Sequence, residues 1–125
     1  MENRTGQDVR SVVEAYHNGW TSKQFDDSIQ LLAPDLHVEV PINDYPNRES
    51  FAQALVAFGG MVDRVELLAR FAQGDEAMLL YDMEVRGVGT MRVAEHFTVR
   101  AGKIARLRQI HDTAAVRAAG LARDP

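Results

Sequence analysis

At Arg64 the spacing of apolar residues changes period, and that change restricts the fold more than any single motif. Before it, Val9, Val12, Val13, Tyr16 and Trp20 recur at helical spacing. After it, Val65, Leu67, Ala69 and Phe71 alternate with more polar neighbours. A helical stripe cannot lie flat in a sheet, and an alternating segment cannot bury one side of a helix. Helices followed by a run of strands predict an α+β domain, an antiparallel sheet covered on one face by helices.

Punctuation residues divide the chain further. Thr5 stands as a cap before the first helix, which ends near Trp20. Thr21-Ser22-Lys23-Gln24 matches a capping box and predicts a second helix with Phe25, Ile29 and Leu32 on one face, stopping before Pro34. Leu36 to Val40 reads as a short strand closed by Pro41. A third helix carries Phe51, Ala54, Leu55 and Phe58 inward and ends at Gly59-Gly60. The later strands are predicted from Arg64, then over 77–86, 91–100 and 104–112, with turns at Gly74, Gly87-Val88-Gly89 and Gly102. The order is ααβαββββ in a single domain, 1–125, with its core over about 9–112. The Ala-rich tail, 113–125, is either a short helix or a frayed end.

The 125 residues are enough to bury roughly two-thirds of the unfolded surface. A net charge of −4 with scattered basic residues argues against nucleic acid as a partner. The chain has no cysteine, which excludes disulfides, thiolate nucleophiles and Cys-ligated metals. No HExxH or close His pair predicts a metal site, and GxGxxG, GxxxxGK[ST] and GxSxG are all missing, so neither metal nor cofactor is expected. The polar N-terminus has no signal-like apolar stretch behind it. The longest mostly apolar run, 54–62, falls far short of the ~20 residues that cross a bilayer. A soluble cytoplasmic protein without membrane contact is expected.

Glu95 is the most informative polar residue. Alternation puts it on the apolar face of its strand with Val93, Phe97 and Val99, where a carboxyl is desolvated and its pKa rises unless a cation compensates. It reads as a pocket acid or base, or as a buried partner of an arginine. Asp82 and Glu84 share a face with Met78, Leu80 and Arg86, while Leu79, Tyr81, Met83 and Val85 form the more apolar face. Periodicity alone therefore puts the two acids in solvent. His111 and Asp112 close the last strand on opposite faces, and a histidine at a pocket mouth is a ready general base. His37 and His96 fall on polar faces, and His17 lies between inward positions. Tyr16 and Trp20 end the inward stripe of the first helix. A buried phenol needs a partner and can donate to a developing oxyanion.

The helix order, Leu36-His37-Val38-Glu39-Val40-Pro41, Asn47-Arg48-Glu49-Ser50-Phe51 and the closing segment from Gly102-Lys103-Ile104 to Asp112 together resemble the SnoaL-like, ketosteroid-isomerase-like group of the nuclear-transport-factor-like superfamily. The resemblance implies a cone-shaped domain, its curved antiparallel sheet wrapped around the N-terminal helices. It also implies a mostly apolar pocket and a homodimer formed through the outer sheet face. Tyr16 matches the isomerases' oxyanion-hole tyrosine, and Glu95 falls where they keep a protonated aspartic acid. By the same matching Met78, Leu80, Asp82, Glu84 and Arg86 line the pocket, and Leu79, Tyr81, Met83 and Val85 face the partner subunit. That assignment reverses the one from periodicity, and it is the one adopted as the expectation. The isomerases' general base is replaced by Val40. His111 or Asp82 would have to substitute, with Asp112 competing by comparison with the SnoaL-like cyclases, and the epoxide hydrolases' Asp–Arg–Asp relay is matched only loosely by Asp82 and Arg86.

The resemblance thus implies a cofactor-free isomerase, cyclase or epoxide hydrolase acting on a small hydrophobic carbonyl or epoxide. Tyr16, Asp82, Glu95 and His111 are its expected catalytic groups. Trp20, Val40, Phe58, Leu80, Glu84 and Phe97 are its expected ligand contacts. The competing expectation is a non-catalytic dimeric ligand-binding or accessory domain of the same fold.

Overall fold

The computed structural model describes residues 5–121. The Thr5 side chain, Met1–Arg4 and the last four residues of the tail lie outside the described residues. Helix α1 (Thr5–Thr21) buries Val9, Val13, Tyr16, His17 and Trp20. The predicted capping box does not form. Thr21 instead ends α1 with its hydroxyl donating to the His17 carbonyl at 2.8 Å, and Ser22 donates to Asn18 at 2.7 Å. These back-bonds occupy carbonyls that a continuing helix would use, and Lys23 then turns the chain at φ +68°. Helix α2 is consequently short (Phe25–Ile29).

Strand β1 (Leu32–Glu39) begins earlier than expected and contains Pro34. It lies at the sheet edge, and its pairing with β5 is irregular between Leu32 and His37, so Pro34 sits where no ladder donor is required. Helix α3 (Arg48–Gly59) starts at a capping box in which Asn47 Oδ1 accepts from the Ser50 amide at 2.8 Å. Strands β2 (Val62–Gln73), β3 (Glu76–Val85), β4 (Gly89–Arg100) and β5 (Lys103–Ile110) follow, and the tail forms a short α4 (Ala114–Ala118). The five-stranded curved sheet has the order β1-β5-β4-β3-β2 and is antiparallel except where β1 runs parallel to β5. Among the described residues no helix is long and apolar enough to cross a membrane.

The faces of β3 are the opposite of those the family resemblance implied. Ala77, Leu79, Tyr81, Met83 and Val85 are buried beneath the helices, whereas Met78, Glu84 and Arg86 are exposed and Leu80 and Asp82 half-buried on the outer face. Periodicity had the parity right, because the uniformly apolar set is the one removed from water. In β2 the expected inward quartet is split. A register shift between Leu67 and Ala69 leaves Val65 and Leu67 packed on the core but turns Phe71 outward, 71% exposed. The same shift points Arg70 toward α1, where its Nε lies 3.4 Å from Glu14.

Candidate active site

Between α1, α3, the concave sheet and the segment after β1 lies a mostly apolar cavity of about 120 Å³. An apolar cavity of ~150 Å³ accepts a benzene ring, so this one has room for a compound of about one ring. Tyr16 and Trp20 reach it from α1, Ala54, Leu55 and Phe58 from α3, and Val40 and Ile42 from the segment after β1. The sheet supplies Tyr81, Met83, Met91, Val93, Glu95 and Gln109, and His111 follows at the end of β5.

The carbonyl of Tyr16 is held from below. Ser28, fully buried in α2, donates from Oγ to that carbonyl at 2.6 Å. This approach requires glycine at position 19, since a Cβ there would collide with the Ser28 hydroxyl. The Tyr16 ring packs edge-on against Phe97 with centroids 5.7 Å apart. Burial, and then the charge of Glu95, pushes its phenol well above the ordinary range, so Tyr16 stays protonated as a donor.

Glu95 is 1% exposed. Its Oε2 accepts from Gln109 Nε2 at 2.6 Å, and its Oε1 has no hydrogen-bond partner among the described residues. Burial raises its pKa to about 7, against the Gln109 amide and the Tyr81 hydroxyl, which both favour the ionised form. No lysine or arginine is among the lining residues. The carboxyl therefore titrates in the neutral range because no cation offsets its desolvation.

Of the expected site residues, Tyr16, Trp20, Val40, Phe58, Glu95 and His111 are brought together around the cavity. His111 Nδ1 lies 3.0 Å from the Asp112 carbonyl. Asp112 is exposed, and its Oδ1 accepts from the Ala114 amide at 2.8 Å, so it holds the turn into α4. Asp82, Leu80 and Glu84 are corrections, since all three lie on the far side of the sheet. Asp82 is clamped by Arg92 through two bonds of 2.7 and 2.8 Å, which lower its pKa, and Glu84 pairs with Arg64 at 3.7 Å. Phe97 is a correction too, fully buried beneath Tyr16 and not among the cavity's lining residues. His96 is held on the outer face between Glu76, at 2.6 Å, and Arg108.

Three residues near the site were not singled out from sequence. Gln109 shares the cavity face of β5 with His111 by simple alternation, a signal that was available. Tyr81 stood on the apolar face of β3 and was given to the partner subunit. His17 is buried beside Trp20 and Tyr81, with ring centroids at 5.6 and 4.9 Å. Burial lowers its pKa to about 4, and its Nδ1 has no partner among the described residues, so it is a neutral part of the core. No cluster of three or more His, Cys, Asp or Glu residues able to hold a metal occurs among the described residues.

Known structures share this architecture. A protein from Kribbella flavida DSM 17836 superposes with a TM-score of 0.83 at 27% identity, with 94% of this chain and 95% of that one covered. A proposed ketosteroid isomerase from the same organism superposes at 0.77 with 16% identity, covering 87% and 81% of the two chains. An LEH-like epoxide hydrolase from M. tuberculosis does so at 0.73 with 20% identity, covering 91% and 90%. Among curated proteins none matches the chain. The family model for the SnoaL-like domain matches residues 13–107, from the helix that carries Tyr16 to the strand that ends beside Gln109. A match over three-quarters of the sequence, on a curved sheet closed by helices over one cavity, makes this chain a member of the SnoaL-like domain family.

Proposed function

We propose that the chain is a cofactor-free enzyme performing acid–base chemistry on a small hydrophobic carbonyl or epoxide compound. The observation that carries this reading is Glu95, a buried carboxyl with one unpartnered oxygen in a cavity without cations. A ligand oxygen seated against Glu95 and Tyr16 would receive hydrogen bonds from a neutral carboxyl and a phenol as negative charge develops on it. His111 is the lining residue suited to take the proton, since Val40 cannot and Asp82 lies outside. For a ketone, the C–H bond α to the carbonyl breaks, the imidazole gains the proton, and the electron pair moves to the oxygen as an enolate. Returning the proton to a different carbon would complete an isomerisation.

The test is proton exchange at the α-carbon of cyclohexanone, followed by NMR in heavy water. Wild type is expected to accelerate exchange over buffer, with His111→Ala slower by about a hundredfold or more and Tyr16→Phe by about tenfold or more. Exchange no faster than buffer, for both cyclohexanone and an epoxide probe, overturns the enzymatic reading in favour of a binding domain.

The outer sheet face supports a homodimer in this proposal. Leu80, Ala94 and Ile110 lie side by side across β3, β4 and β5, Ile110 is 72% exposed, and Phe71 and Met78 adjoin them. Ile110→Lys is expected to shift the sedimentation mass from dimer to monomer. A monomeric wild type would exclude the dimer.

A further inference from the structure

We infer that Gln109 acts as a positioning residue that holds the proton of the neutral Glu95 carboxyl on Oε1, so that the cavity selects a compact, uncharged compound presenting one acceptor oxygen. The inference rests on the acid–base reading of the same cavity and adds which compounds that cavity admits.

Glu95 and Gln109 are directly opposed across β4 and β5, and both side chains line the cavity. The carboxamide Nε2 donates to Oε2 at 2.6 Å. An oxygen that already accepts a strong hydrogen bond from an amide is the poorer place for the acid's own proton, because two hydrogens would then crowd between the same two heavy atoms. When Glu95 is neutral the proton therefore resides on Oε1, the oxygen without a protein partner. An unpaired buried polar group is costly, and a ligand acceptor placed against Oε1 removes that cost.

The remaining surroundings narrow the ligand. The titratable groups facing Glu95 are Tyr16 from α1, Tyr81 from β3, Tyr45 from the segment before α3 and His111 after β5, while α3 contributes apolar side chains and Gly59. Burial holds the phenols of Tyr16 and Tyr81 well above neutrality, so both remain uncharged. With no lysine or arginine in the lining, a carboxylate or phosphate ligand would meet Glu95 without compensation. The cavity volume of about 120 Å³ favours one ring over a polycycle.

The experiment uses protein labelled at the glutamate carboxyl carbon, with Glu95→Gln identifying the Glu95 signal, and follows its titration by NMR in wild type and in Gln109→Met, a near-isosteric change without donors. Removing a donor to the ionised form is expected to move the Glu95 midpoint upward by about one pH unit, a shift that a purely structural role would not produce. Affinities for cyclohexenone, benzoate and cyclohexylamine are then measured in wild type at about pH 5.5 and about pH 8.5, on either side of the Glu95 midpoint. Cyclohexenone is expected to bind about tenfold or more tightly at the lower pH, because it needs the protonated acid. Benzoate is expected not to bind.

An unmoved midpoint in Gln109→Met overturns the assignment, as does cyclohexylamine binding that strengthens with rising pH, which would mean that the ionised carboxylate is the working form. Should Gln109→Met fail to fold, the wild-type pH profiles decide alone. Selective cyclohexenone binding without α-proton exchange leaves the Gln109 assignment standing and removes the enzymatic one. Exchange with an unmoved midpoint does the reverse.

Discussion

Glu95 and Asp82 are carboxylates on neighbouring strands of one sheet, and they meet opposite surroundings. Asp82 faces outward, where Arg92 grips both of its oxygens and keeps it ionised. Glu95 faces inward, where an amide and a phenol are its only partners and its pKa rises to about 7. The difference arises from alternation along the pleat, not from residue type. A strand that reverses its side chains every residue can hold an inert surface ion pair on one side and a reactive acid on the other. It also shows why proximity in sequence to a suspected site is a poor guide on a sheet, since Asp82 and Tyr81 are adjacent and lie on different sides of the molecule.

The largest way to test that two-sidedness is to empty each face in turn. Phe97→Ala removes a fully buried ring under Tyr16 and should cost about 3–5 kcal/mol in urea unfolding, whereas Leu80→Ala on the outer face should cost less than about 1 kcal/mol. Equal costs would mean that the outer face is covered as thoroughly as the core, and would point to the dimer.

The next effect is on pH dependence. The folded pKa of Glu95 is above its unfolded value of 4.5, so the native state binds the extra proton and stability falls as pH rises from about 4.5 to about 7, by about 3 kcal/mol. His17 has the opposite sign. Its folded pKa of about 4 is below the unfolded 6.5, so its contribution is complete above 6.5 and is lost as pH falls toward 4. Over the shared window, about pH 4.5–6.5, the two slopes oppose each other, and the wild-type stability profile should be nearly flat there. Glu95→Gln should leave a profile that rises with pH, and His17→Phe one that falls, both measurable by chemical denaturation at a series of pH values. Parallel profiles for the two variants would exclude the assigned protonation states.

The smallest effect belongs to the outer pair. Asp82→Asn should leave cyclohexenone affinity as in wild type and change the melting temperature little at neutral pH, because exposed ion pairs contribute little. Its signature is confined to acid, where a carboxylate with a lowered folded pKa loses its contribution as pH falls through that value. Loss of ligand binding in this variant would return Asp82 to the site.

Much of this molecule follows from local pattern. The change of period at Arg64, the inward stripe of α1, the helix over Phe51 to Phe58 and the strand that carries Glu95 beside Val93 and Phe97 all appear in the structure where residue spacing predicts them. Side-chain period and turn chemistry are properties of a few consecutive residues, and they survive without knowledge of what lies opposite. The inward parity of β3 belongs with them, because its apolar face was visible in the alternation before the family resemblance reversed it.

What required the tertiary structure is whatever depends on two distant segments at once. The register shift that turns Phe71 outward and Arg70 toward Glu14 exists only in the pairing of β2 with β3. The early start of β1, with Pro34 inside it, exists only because that strand is an edge lying parallel to β5. Above all, the sequence by itself determined that Glu95 would be inside, but not whether a cation would meet it there. That answer depends on which side chains from α1, α3, β3 and β5 converge on one cavity. Their convergence on tyrosines, an amide and a histidine without lysine or arginine is what lifts a carboxyl into the range where it can hold or release a proton near neutrality.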